Sequence, residues 1–147
     1  MKKIYGILFS AFLLVVGTAS YAAGHCEIPC GIYDDQARVQ TMAEHIATIE
    51  KSMKNIIALS GESPINYNQM VRWVNNKEHH TNELQHIVTQ YFMTQRIKPD
   101  TRNYEKKLSV LHKMLVHAMK CKQTTDLSQV EALRALLKAF HGLYFHD

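Results

Sequence analysis

From residue 34 onward the chain repeats apolar residues at helical spacing. Met42, Ile46, Ile49, Met53 and Ile56 alternate steps of four and three, which places them on one face of a first helix. Asp34 and Asp35 stand before that stripe as natural N-caps. Ser60-Gly61-Glu62-Ser63-Pro64 ends it, with Gly61 placed for a C-terminal cap. A second helix is expected from about Asn66 to beyond Phe92, with Met70, Val74, Leu84, Val88 and Tyr91 on its inner side. Pro99 and Asp100 break the chain, and Asp100 or Thr101 can cap a third helix carrying Tyr104, Leu108, Leu111, Leu115 and Ala118. After Gln123-Thr124-Thr125-Asp126, a fourth carries Val130, Leu133, Leu137, Phe140 and Tyr144. Four such stripes with short connections predict an all-α, antiparallel up-down four-helix bundle.

The second helix interrupts the pattern. Asn75-Asn76-Lys77-Glu78-His79-His80-Thr81-Asn82-Glu83 sets two polar turns in its middle. Three readings stand: a polar wall near a site, a contact with another subunit, or a solvated bulge of the helix surface. Glu83 and His86 have the Glu-x-x-His spacing of di-metal bundles, but such sites need that motif on two helices, and no second copy is present. His112 and His117 are scattered and read as surface or helix-end residues.

Ahead of the bundle lies a different pattern. Lys2 and Lys3 precede an apolar run over residues 4–16 and a small-residue tail over residues 18–24, the plan of a secretory signal. Small residues at Ala22 and Gly24 suit a cut after Gly24, leaving His25 as the new N-terminus. A cut after Ala22 satisfies the same rule, and an uncleaved anchor over residues 4–23 is the alternative. The expected organisation is a cleaved signal over 1–24, a hook over 25–33 and the bundle over 34–147, in a periplasmic or secreted protein. Signal peptidase is the implied maturation partner, and no membrane contact is expected after the cut.

Charge adds little. Of the net +4 on 147 residues, Lys2 and Lys3 carry two, which leaves a mild balance. No dense stripe of Lys and Arg points to nucleic acid, while a weak positive bias favours a small anionic substrate. There are three cysteines, so pairing within one chain cannot account for all of them.

Two of those cysteines sit in the hook, His25-Cys26-Glu27-Ile28-Pro29-Cys30-Gly31-Ile32-Tyr33. With His25 terminal, this stretch offers a free amine, an imidazole, a backbone amide and two thiolates. Thiolates with amine and deprotonated amide nitrogen make a strong-field planar set suited to Ni(II) or Cu(II). Pro29 and Gly31 let the chain fold back so that both sulfurs can meet one ion. A Cys26–Cys30 disulfide is the rival reading, since an exported protein meets oxidising conditions. The residues alone leave the two open.

The pattern His-Cys-x-x-Pro-Cys-Gly-x-Tyr, at His25, Cys26, Pro29, Cys30, Gly31 and Tyr33 with no gap, resembles the N-terminal hook of nickel superoxide dismutases. The resemblance covers the hook closely and the bundle through its length and helical order. It implies disproportionation of superoxide to O₂ and hydrogen peroxide by one nickel ion per subunit cycling between Ni(II) and Ni(III), in a homohexamer of four-helix subunits. It implies ligands at His25 (amine and imidazole), Cys26 (amide and thiolate) and Cys30 (thiolate). It also implies a cis Ile28–Pro29 bond and a Tyr33 that orients small anions over the open face of the metal. The family holds the axial imidazole with a glutamate and an arginine. A rough alignment with one gap before Gln36 puts Gln40 and His80 at those positions, and Glu27 where an aspartate is common. Cys121, outside the motif, reads as an inert buried thiol. The functional rivals are an exported helical nickel or copper carrier and a non-catalytic bundle with a disulfide hook. A cut after Ala22 would favour the carrier, because an N-terminal amine with histidine third is itself a Cu(II) or Ni(II) chelate.

Overall fold

The computed structural model describes residues 34–146. The expected signal, the hook with His25, Cys26, Cys30 and Tyr33, and the Ile28–Pro29 bond lie outside the described residues. Four helices follow in order: α1 (Asp35–Ser60), α2 (Tyr67–His86, continued by a π-helical segment, Ile87–Arg96), α3 (Tyr104–Gln123) and α4 (Ser128–Phe145). Each packs on the next, and α4 closes the ring on α1. Their mutual bonds run antiparallel. His45 meets His80 while Ser52 meets Asn76 between α1 and α2. Between α1 and α4, Gln36 meets His141 while Glu50 meets Arg134. Among the described residues the fold is an antiparallel four-helix bundle with no strand, as expected.

The stripes of α1 and α4 face the core as their spacing predicts. Met42, Ile46, Ile49, Met53, Val130, Leu133, Leu137 and Phe140 are all buried. At the centre Phe92 meets Phe140 edge to face at 4.8 Å, a favourable ring arrangement. Three expectations need correction. On α2, Val74 is exposed and Met70 only half-buried. The inner stripe there runs back from Leu84 through Thr81 and Lys77 to Trp73, over which the Lys51 ammonium lies at 5.8 Å. On α3 the most buried line runs through Lys107, Leu111, Met114, Ala118 and Cys121, with Leu108 and Leu115 at its flank. The cap of α3 is Asn103, not Asp100 or Thr101. Thr101 spends its hydroxyl accepting the Lys98 N–H at 2.8 Å, which closes the preceding turn. Asn103 then takes φ 55°, a left-handed conformation that asparagine tolerates better than most residues.

The polar stretch of α2 is not a solvated bulge. Lys77 and Thr81 are buried, and Asn76 donates to the buried Ser52 hydroxyl of α1 at 2.9 Å. Lys77 buries its stem and donates through Nζ to the Lys122 carbonyl at 2.7 Å, at the C-terminal end of α3. A cation there satisfies a carbonyl left open by the helix and meets the negative end of its dipole. The polar stretch of α2 therefore bonds to α1 through Asn76 and to α3 through Lys77.

Candidate metal centre

Because the hook ends one residue before Asp34, the hook-proximal end of the bundle is the frame it springs from. Asp34 is the N-cap of α1, its side chain accepting the Gln36 N–H at 2.8 Å. Asp35 does something different. It lies in the first turn, and its carboxylate gathers donors from two other helices. Tyr91 donates to Oδ1 in a short contact, and Tyr144 donates to Oδ2 at 2.7 Å. Arg96 donates to Oδ2 through Nε at 3.1 Å and Nη2 at 2.7 Å. Three chain segments are thereby tied together two residues after Tyr33.

The π-helical segment makes this possible. Its ladder runs to the fifth residue back: the Ile97 N–H reaches the Phe92 carbonyl, and Gln95 and Thr94 bond the Gln90 and Thr89 carbonyls with their side chains. Residues five apart then lie about one turn apart, so Tyr91 and Arg96 both face Asp35. In an α-helix they would diverge by roughly 140°. Electrostatics follow the geometry. Burial alone would raise the Asp35 carboxyl; the bonds from Tyr91, Arg96 and Tyr144 outweigh it and hold the carboxyl below its usual range. Burial, with the Asp35 bond and charge, pushes the Tyr91 hydroxyl up to about 12. The Arg38 guanidinium lies over the Tyr91 ring at 5.7 Å, adding a second cation to this end.

Further along the α1–α2 seam, His45 Nδ1 lies 2.8 Å from His80 Nδ1. Desolvation lowers both imidazoles; for His45 the charge of His80 adds to it, for His80 that of His79, and Glu83 opposes both shifts. The partner found for His80 is His45, whereas Gln40 is exposed on α1. Of the positions outside the hook, then, the fold gives His80 a cross-helix partner that spacing did not suggest. Glu83 and His86 form no inward pair, since His86 is exposed. His112 is exposed, and His117 bonds Gln129 Oε1 at 2.9 Å near the end of α3. Cys121 is buried and free, and burial pushes its thiol up to about 11, so it stays protonated and is a poor ligand. Among the described residues no group of three or more His, Cys, Asp or Glu side chains is disposed to hold a metal ion. Also among them, no helix is long and apolar enough to cross a membrane.

A family model described as nickel-containing superoxide dismutase matches residues 20–147, the hook and the whole bundle together. The chain belongs to the nickel-containing superoxide dismutase family. No curated protein and no solved structure was found to match it. Membership carries the activity: a nickel-dependent oxidoreductase that dismutates superoxide. The carrier and disulfide-hook readings are not favoured. In this superoxide dismutase, Asp35 and its three partners are what motif reading missed. Asp35 was read as a cap because it follows Asp34, and its real role depends on a helix register visible only in three dimensions.

Proposed function

We propose that the nickel centre of this superoxide dismutase is the hook over residues 25–33, freed by one cut after Gly24 in the periplasm or outside the cell. What supports this is that the family match takes in the hook together with the bundle. The donor set suits nickel: the His25 amine and imidazole, the Cys26 amide and thiolate, and the Cys30 thiolate. Nickel bound there would supply one-electron redox chemistry between the two superoxide half-reactions.

The chain's own residues supply the rest. A terminal amine with pKa near ~8 gives up its proton to a metal at neutral pH, as an internal peptide nitrogen would not readily do. Cys26 and Cys30 act as thiolates, donating charge and lowering the potential. Tyr33 holds an incoming anion through its hydroxyl without needing to bind the metal. Asp35 anchors the chain two residues later through Arg96 and Tyr144. In sum two superoxide ions and two protons become O₂ and hydrogen peroxide.

Assembly into a homohexamer is part of the same proposal. Tyr67, Val71 and Val74 follow at steps of four and three on α2 and are 71%, 56% and 36% exposed. Such an apolar stripe is what a subunit contact would cover.

The test separates ligand from disulfide. Cys26→Ser and Cys30→Ser should each remove nickel and activity while leaving the helical circular dichroism unchanged, because the bundle has its own core. Full nickel stoichiometry in both variants would rule the assignment out.

A further inference from the structure

The His45–His80 pair is the one place among the described residues where two strong nitrogen donors from different helices face each other. Their Nδ1 atoms are 2.8 Å apart across the α1–α2 seam. Both backbones are held firmly: His45 is followed by the buried Ile46, and His80 is followed by the buried Thr81. The rings are tilted at 53° with centroids 5.1 Å apart, so neither stacks flat on the other. His79 meets His80 edge-on at 5.2 Å, and Glu83, one turn beyond, is near enough for its charge to act on both rings.

That spacing is an N–H···N hydrogen bond, and an ion between the rings would take the place of the shared proton. With metal–nitrogen bonds of about 2.05 Å, two nitrogens at a right angle are about 2.9 Å apart, whereas a tetrahedral ion needs about 3.3 Å. The hydrogen-bonded nitrogens would need to open only slightly to reach the right-angle case, and neutral imidazole is a good donor for Ni(II) and Cu(II). We propose that His45 and His80 form a second, labile site for Ni(II) or Cu(II), using none of the hook's own donors and completed by water. Each imidazole would carry its proton on Nε2 and present Nδ1 to the ion. The change is one of tautomer for whichever ring now donates from Nδ1, and no net proton is released. With only two protein ligands the site exchanges its ion readily, unlike the five-donor hook. The negative charge of Glu83 favours a divalent cation there.

The site does not rest on the reading of the hook, and its test disables the hook first. The full chain carrying His25→Ala, Cys26→Ser and Cys30→Ser is dialysed against Ni(II), and bound metal is measured. The proposal expects about one Ni(II) per chain, weakened about tenfold or more by either His45→Ala or His80→Ala and unchanged by His79→Ala. Should an alanine variant lose its fold, the hook-disabled parent still decides the matter. Added Ni(II) should broaden the imidazole NMR signals of His45 and His80 before those of the other histidines. No bound nickel in the parent, binding as tight as the parent's in either alanine variant, or uniform broadening of all histidines would overturn the proposal.

Discussion

Asp35 shows how a single carboxylate can join three helices. Its carboxylate is half-buried and satisfied by Tyr91, Tyr144 and a two-pronged Arg96. Asp35→Asn keeps the shape but loses the charge that Arg96 meets, and a hydrogen bond to a charged group is worth about 2 kcal/mol. We expect a lower thermal midpoint in the variant, with part of the acid sensitivity removed. The direction follows from the carboxyl being held below its usual value: its contribution is present above the ordinary carboxylate range and is lost as pH falls through the folded value. Thermal melts of both proteins at neutral and acidic pH check this, and an unchanged midpoint at neutral pH would mean the cluster adds no stability.

At the level of elements, α1 and α4 were readable because each keeps an apolar stripe at a regular step, Ser52 being the one buried polar residue of α1. α2 was readable only in its second half. The inner face of its first half carries Lys77 and Thr81, so hydropathy pointed to Met70 and Val74 there, while Leu84, Val88 and Tyr91 are buried as expected. The π-helical segment was equally hidden, because a change of hydrogen-bond register leaves the residue types unaltered; the adjacent buried Tyr91 and Phe92 are its one visible trace. The polar seam also predicts a pH response. His45 and His80 both titrate below the ordinary 6.5, so the unfolded chain takes up protons first as pH falls. The stability due to this pair is full above about pH 6.5 and declines below it, as the folded values are crossed. Urea midpoints measured from pH 7 to 5 should fall, and fall less in His80→Gln; an equal fall in both would remove the pair from the account.

For the molecule as a whole, the proposed division of labour is between a bundle with its own core and a short N-terminal stretch that would carry the chemistry. The hook was legible at once, since His25, Cys26, Pro29, Cys30, Gly31 and Tyr33 form a dense local motif. The cluster at the start of α1 was not, because Asp35, Tyr91, Arg96 and Tyr144 are distant in sequence and meet only when the ring of helices closes. The family match over residues 20–147 joins the two parts in one enzyme. The central claim is that the amine of His25 completes the nickel centre. Nickel content and superoxide turnover, measured side by side for protein beginning at His25 and for protein with one alanine before it, test that most directly. The account predicts activity in the first and its loss in the second, where a neutral peptide nitrogen replaces the amine. Equal turnover in the two proteins would contradict it.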